Sequence, residues 1–347
     1  MEDKRYCMSS FLMFRTVADG TKSFDGKSAP NLWEDVRPRK GIHDSRELED
    51  YLRRRVRETC GEKRAALALS GGMDSAILAR FMPEGSVCYT FRCIVPGMQV
   101  TDETGAAARY AESCGLEHRI VQIYWEDFEV YAPVLMAHKH APIHSIEVQI
   151  YKAALQALRD GVETLIFGES ADVVYGGMDG LLSKDWLAGD FMERYSYVMP
   201  YKALAEPELV LEPYQCFVRD GHIDPHAFVS EVFRKEGMGS YINATETAGC
   251  PAVCPFGETY LAEPIDYARI RAGENKYLVR EIFSRLYPDM RLPAKLPMPR
   301  PMNEWMKDWK GPVRGEFLPH CTDTMNGDQK WLVWALERYL NLLEEGK

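Results

Sequence analysis

The residues best suited to chemistry stand together at Ser70-Gly71-Gly72-Met73-Asp74-Ser75, directly after an apolar run that ends at Leu69. Two glycines without Cβ atoms let the backbone turn its N–H groups around an anion. Ser70 and Ser75 add hydroxyl donors, and a helix starting behind them adds the positive end of its dipole. Asp74 is the odd member, because a carboxylate in a phosphate cradle repels its ligand unless a cation lies between them. The combination points to a polyphosphate carried with Mg²⁺, which takes carboxylate and phosphate oxygens. A second glycine-rich stretch, Gly20 to Gly26-Lys27-Ser28, mimics a Walker phosphate loop. It has one residue too many between its glycines, and Ala29-Pro30-Asn31 reads as a turn where a helix should begin.

A further carboxylate-bearing loop is expected at Gly168-Glu169-Ser170-Ala171-Asp172, closing on Gly176-Gly177. Asp172 is placed to meet Asp74 across adjacent strand ends and share the magnesium. Glu169 would sit beside the substrate, where burial raises a carboxyl toward the range of a useful base. A capping or ion-paired carboxylate is the plainer alternative for it. His138, Lys139, His140, His144 and Glu147 form a cluster whose spacing fits no standard metal-ligand set. Pocket-lining or surface polar residues are the better reading of it. Cys250 and Cys254 are the one close cysteine pair, and they lack the Cys-x-x-Cys spacing or second pair of a zinc or iron–sulfur site.

These loops need strands and helices to hold them. The pattern predicts strands over 65–69, 87–93, 119–123 and 163–167, alternating with helices over 76–82, about 101–115, 125–137 and 146–159. Such alternation implies a doubly wound α/β fold, a parallel sheet with helices on both faces and ligands beyond the carboxyl ends of the strands. From about residue 179 the pattern turns to helices and long Pro- and Met-rich connections, giving a helical C-terminal half. Helices are expected over 275–286 and 330–345. The Leu332, Leu336, Leu340 and Leu343 stripe reads as core, with a homodimer interface as the alternative. Residues 1–44 show little periodicity beyond 10–17 and read as an arm leaning on the body. The division expected is therefore arm 1–44, nucleotide-binding core 45–178 and mainly helical part 179–347.

The chain has 347 residues, a net charge of −10, 46% hydrophobic and 27% charged residues, as expected of a globular enzyme. No basic run exceeds Arg53-Arg54-Arg55, which argues against nucleic acid as a partner. No apolar stretch reaches the roughly 20 residues of a membrane span. No signal-peptide pattern stands at the N-terminus, and nine scattered cysteines suit a reducing cytoplasm.

The element at 70–75 resembles the pyrophosphate loop of the ATP pyrophosphatases, which include the synthetase domains of asparagine, GMP, NAD, argininosuccinate and β-lactam synthetases. The loop at 168–177 resembles the Gly-Glu-Gly-Ala-Asp-Glu-x-x-Gly-Gly signature of asparagine and β-lactam synthetases. Downstream, Pro255-Phe256-Gly257-Glu258, Lys276-Tyr277-Leu278-Val279-Arg280 and Leu292-Pro293-Ala294-Lys295-Leu296-Pro297 are similar to further segments of that family. The resemblance implies an adenine nucleotide α-hydrolase-like fold and ATP cleavage between the α and β phosphates. ATP and Mg²⁺ would be held at Leu69, Ser70, Gly71, Gly72, Asp74, Ser75 and Gly168, with the metal on Asp74 and Asp172. Catalysis would fall to Glu169 and to Lys295, with Arg300 as the second candidate for the phosphate-binding cation.

The departures shape the expectation. Val173 stands where the family has a second acid, Ser170 replaces a glycine, and Met178 follows Gly176-Gly177. Asparagine synthetases begin with a glutaminase domain whose nucleophile is a Cys directly after the initiator Met. Residue 2 here is Glu and the first cysteine is Cys7. The nitrogen is thus expected from ammonia, an amine or a separate glutaminase subunit. The reading is an AMP- and pyrophosphate-forming amide synthetase that adenylylates a small-molecule carboxylate. Transfer to a nucleotide, RNA base or sugar is the enzymatic alternative, and a nucleotide-binding regulator the non-enzymatic one.

Overall fold

The computed structural model describes residues 1–27, 39–293 and 298–346. Helix α1 (Lys4–Phe14) opens the chain, with the Asp3 carboxylate capping its N-terminus by accepting from the Tyr6 N–H. β1 (Lys40–Ile42) and α2 (Ser45–Glu62) follow, and the Asp44 side chain caps α2 by accepting from Arg46 and Glu47. Then comes the alternating unit: β2 (Ala65–Ala68), α3 (Met73–Ala79), β3 (Val87–Cys93), α4 (Thr104–Ser113), β4 (Glu117–Ile123), α5 (Trp125–Lys139), α6 (Ile146–Arg159), β5 (Thr164–Ile166) and the short α7 (Ala171–Val174). Beyond it lie α8 (Arg234–Ala248), β6 (Ala252–Val253), β7 (Thr259–Leu261), α9 (Tyr277–Leu286) and α10 (Gly327–Glu344), accompanied by shorter helices and a small three-stranded antiparallel sheet.

The main sheet has five parallel strands in the order β4-β3-β2-β5-β6. Parallel neighbours cannot be joined by hairpins, so every step crosses over through helices. Because side chains alternate across a strand, the sheet feeds two cores. Tyr89, Val121, Ile123, Leu165 and Phe167 pack on one face with α1, α5, α6 and α10. Leu67, Leu69, Cys88 and Ile166 pack on the other with α2, α3 and α9. This is the doubly wound α/β fold. The chain runs outward from β2 to β3 and β4, then returns to place β5 on the other side of β2. The crevice at that reversal is where such sheets take ligands. The loops at 70–75 and 168–172 leave the carboxyl ends of β2 and β5, the two strands that border it.

Strand and helix positions follow the sequence expectation closely, with a shift at the pyrophosphate loop. α3 begins at Met73 instead of residue 76, so Asp74 and Ser75 lie in its first turn and not in a preceding loop. The larger correction is at the N-terminus. α1 is no leaning arm, since every residue from Tyr6 to Phe14 is buried, and it packs in the same core as the sheet. A helix whose burial runs all round, taking in Ser9 and Ser10 with the apolar residues, carries no 3.6-residue stripe, which is why periodicity failed to announce it. In α10, Leu332, Leu336 and Leu340 are spent on the core. Among the described residues no helix is long and apolar enough to cross a membrane.

Candidate active site

A cavity of about 420 Å³ opens over the carboxyl ends of β2, β3 and β5. Its floor is the loop after β2. The hydroxyls of Ser70 and Ser75 lie 2.9 Å apart, Ser75 Oγ accepts from the Ser70 N–H at 3.0 Å, and Ser70 Oγ accepts from the Gly72 N–H at 3.1 Å. These bonds hold the loop in a tight arc before any ligand arrives. Gly168 presses against it from β5. A Cβ there would come within 3.0 Å of the Ser75 nitrogen and 3.1 Å of Asp74 Cβ, so a larger residue would push the first turn of α3 away by a few tenths of an ångström. The Gly71 N–H is already engaged, donating to Glu103 Oε1 at 3.2 Å. Glu103 is nine-tenths buried at the start of α4, and burial pushes its carboxyl up to about 7.

Asp74 and Asp172 meet, as the sequence suggests, and they meet on a cation from the chain itself. The Lys276 ammonium donates to both oxygens of Asp74, at 2.8 and 2.6 Å, and lies 2.9 Å from Asp172 Oδ1. Lys276 is buried, and its backbone adopts φ 50° where it caps α9. Burial alone would lower its pKa, but the two carboxylates outweigh burial and hold it above the usual lysine value. Gly177 makes the arrangement fit, because a Cβ at that position would overlap the Asp172 carboxylate and the Lys276 stem.

Glu169 lines the same cavity. It is enclosed by protein, and burial first, then the neighbouring Asp172 and Glu236 charges, raise its carboxyl to about 7, opposed by hydrogen bonds from the Ser170 N–H and the Tyr241 hydroxyl. The Tyr241 ring is fixed edge-on against Phe167, 4.9 Å between centroids. A carboxylate balanced near neutrality can both take up and release a proton.

The remaining candidates separate. His138 hydrogen-bonds Asn243 at 2.8 Å, and Lys139 and Asn243 both bind the fully buried Glu147, a structural network behind the cavity wall. His140 caps the C-terminus of α5 at φ 53° and lies 4.0 Å from Asp25. Only His144 of the three histidines lines the cavity. Among the described residues no group of three His, Cys, Asp or Glu side chains is arranged to hold a metal, and Cys250 and Cys254 are buried free thiols. Glu258 accepts from Arg55 and Tyr51 and serves as a structural ion pair. Lys295 lies outside the described residues. Arg300 lines the cavity, as do Leu69, Ser70, Asp74, Ser75 and Gly168.

With a serine–glycine loop and two carboxylates at the reversal of a parallel sheet, comparison with known proteins becomes decisive. The asparagine synthase family profile matches residues 47–228, more than half of the chain. The chain belongs to the asparagine synthase family. That membership supports an ATP-dependent, ligase-like enzyme. No curated protein matches the chain as a relative. Similar solved structures include an NH3-dependent NAD synthetase from Campylobacter jejuni, with 16% identity, 38% of this chain and 58% of that chain covered, and a TM-score of 0.24. A U34-tRNA thiolase from Methanococcus maripaludis has 15% identity, covers 72% and 82%, and scores 0.27. An NMN synthetase from Francisella tularensis has 12% identity, covers 74% and 99%, and scores 0.26. The chain thus spans little more than half the length of the NAD synthetase, and likenesses at these scores carry no argument about activity.

For this member of the asparagine synthase family, sequence reasoning located the loops and both aspartates but missed Lys276, which joins those aspartates, and four residues that line the cavity. Lys276 was visible only as part of a helix motif, and Glu103 only as an acid near a helix start. Arg15, Glu236 and Tyr241 gave no local signal, since each reaches the cavity through packing between elements distant in sequence.

Proposed function

We propose that the protein is an AMP- and pyrophosphate-forming amide synthetase that adenylylates a carboxylic acid and passes it to ammonia or an amine. The observation that carries this reading is the convergence of Asp74 and Asp172 on one cation beside the Ser70–Ser75 hydroxyl pair, with Glu169 in the same cavity. ATP would lie with its β and γ phosphates over the loop after β2, its α-phosphorus turned toward Glu169. The acid's carboxylate oxygen attacks that phosphorus, the α–β bridge breaks, and pyrophosphate leaves. Nitrogen then attacks the acyl carbon, Glu169 takes the proton that nitrogen sheds, and AMP departs with the carboxylate oxygen.

The donor set suits Mg²⁺, which takes one or two carboxylates and completes its shell with phosphate oxygens and water. Asp74 and Asp172 would hold it, sharing their oxygens with Lys276, and the ion would offset the charge on the leaving pyrophosphate. Lys276 meanwhile holds the two neighbouring carboxylates together and fixed. The test is direct: incubate protein, ATP and Mg²⁺ with a library of carboxylic acids and ammonia, then resolve the nucleotides by chromatography. AMP and pyrophosphate that depend on one acid are expected. ADP and orthophosphate without AMP would sink the reading.

A further inference from the structure

The ATP chemistry leaves one wall of the cavity unused, and that wall is rich in donors. Arg15, His144, Glu236 and Arg300 line it, with the ring of Phe233. Arg15 ends α1 in the left-handed region at φ 59°, 9% exposed, with its guanidinium carbon 3.9 Å from the Tyr197 ring centroid. Its Nη2 donates to Glu236 Oε2 at 2.6 Å and its Nη1 meets His144 Nε2 at 2.9 Å. A guanidinium can only donate, so Nε2 accepts and the imidazole proton sits on Nδ1. His144 is itself nine-tenths buried, and burial together with the Arg15 and Arg300 charges keeps it neutral, well below the usual histidine range.

Two N–H donors of this wall, Arg15 Nε and Arg300 Nε, find no partner among the described residues, whereas His144 Nδ1 lies 3.4 Å from Glu236 Oε1. The Glu236 carboxylate is occupied by Arg15 and Ser240. Arg300 pairs across 3.2 Å with Asp328, which is 60% exposed and screened by solvent. The two guanidiniums of this wall thus each keep one unspent N–H donor, Arg15 Nε and Arg300 Nε. Buried donors without partners are costly, and a site built of them is matched by an anionic acceptor. The reacting centre is a neighbour, since Glu169 lies within electrostatic reach of both Asp172 and Glu236. Arg15, Glu236 and Arg300 lie outside the stretch 47–228 matched by the asparagine synthase family profile, and His144 lies within it.

We propose that Arg15, His144 and Arg300 form the subsite for a second anionic group on the acceptor acid, a carboxylate or a phosphate, held away from the carboxylate that is adenylylated. Arg15 is the anchor, Glu236 fixes its plane, and His144 holds its Nη1 through Nε2. The inference rests on the amide-synthetase reading for the identity of the reacting end, and on the cavity wall alone for the remote end.

The test uses the full chain with ATP and Mg²⁺ and three probes of similar length: butyrate, glutarate and 4-phosphonobutyrate. Binding is read by calorimetry, and activation by acid-dependent exchange of labelled pyrophosphate into ATP. At least one dianion should bind about tenfold or more tighter than butyrate, and the better of the two identifies carboxylate or phosphate as the second group. Arg15→Gln should cost that dianion about 10- to 100-fold, the usual range for a charged hydrogen bond. Glu236→Gln should tighten it, because the competing carboxylate is gone; a merely structural cluster would weaken binding in both variants. If Arg15→Gln does not fold, the charge-balanced Arg15→Gln/Glu236→Gln pair takes its place, with the same expected loss. Butyrate binding as well as both dianions, no binding of either dianion, or a dianion preference that survives Arg15→Gln would overturn the proposal. Exchange driven equally by butyrate sinks the subsite and leaves the reaction standing. Arg15-dependent dianion binding without exchange for any acid does the reverse.

Discussion

The Glu103 carboxylate accepts from the Gly71 N–H at 3.2 Å, inside the loop proposed to cradle phosphate. A protein anion therefore occupies one of the donors that the nucleotide needs. With its carboxyl raised to about 7 by burial, Glu103 is charged above that pH and largely neutral below it. ATP should accordingly be used less well as pH rises through 7, and Glu103→Gln should remove that dependence. The expected gain in ATP affinity at pH 8 is on the order of tenfold, the equivalent of one pK unit. ATP titrations of both proteins at pH 6 and pH 8 check this, and a pH-independent wild type would contradict it.

Glu169 gives a second pH signature. As a base raised to about 7 it should switch amide formation on as pH rises through neutrality, and Glu169→Gln should cost about 10²–10⁴-fold in that step. Pyrophosphate exchange, which needs no base, should largely survive. Tyr241→Phe removes a hydrogen bond that favours the ionised form, so its rate profile should shift to higher pH. Stability runs in the opposite direction. Glu103 and Glu169 both have pKa values raised above the ordinary 4.5, so their contribution is full below that pH and is lost as pH climbs through about 7. The double Gln variant should show a flatter melting temperature between pH 5 and pH 8 than the wild type.

The Asp74–Lys276–Asp172 arrangement can be tested without any acid substrate. Lys276→Met leaves two carboxylates facing each other and should cost about 1–3 kcal/mol, less than a fully buried pair because both aspartates retain some exposure. Added Mg²⁺ should restore more of the melting temperature in this variant than in the wild type, and Asp172→Asn on top should abolish the rescue. Equal Mg²⁺ responses in all three proteins would mean that these carboxylates are not a cation site.

How far the sequence reached depends on which residues carried local signals. Ser70, Gly71, Gly72, Asp74 and Ser75 were legible because a loop after a strand is a contiguous, strongly constrained object. Asp172 was legible because β5 follows the same logic. Strands β2 to β5 betrayed themselves by short apolar runs and glycine stops, and α6 by its stripe. Lys276 as the partner of Asp74 was not legible, since 202 residues separate them and only folding joins them. Arg15 was hidden for the same reason, compounded by a helix that shows no polar face.

That hidden helix is the subject of the last prediction. α1 carries Phe11, Leu12, Met13 and Phe14 at 0% exposure and ends at Arg15 on the cavity wall. Phe11→Ala should therefore cost about 3–5 kcal/mol, as other buried aromatic truncations do, measured by urea unfolding. A leaning arm would lose far less. Cys7, on the same helix, is fully buried and its thiol is pushed up to about 12, so it is packing and not a nucleophile. In the native protein iodoacetamide should modify the exposed Cys216 and spare Cys7, which should react only after unfolding. Cys7→Ala should leave acid-dependent pyrophosphate exchange intact. Native labelling of Cys7, or loss of exchange in Cys7→Ala at unchanged stability, would place that thiol in the chemistry and return the N-terminal segment to the role of a separate functional arm.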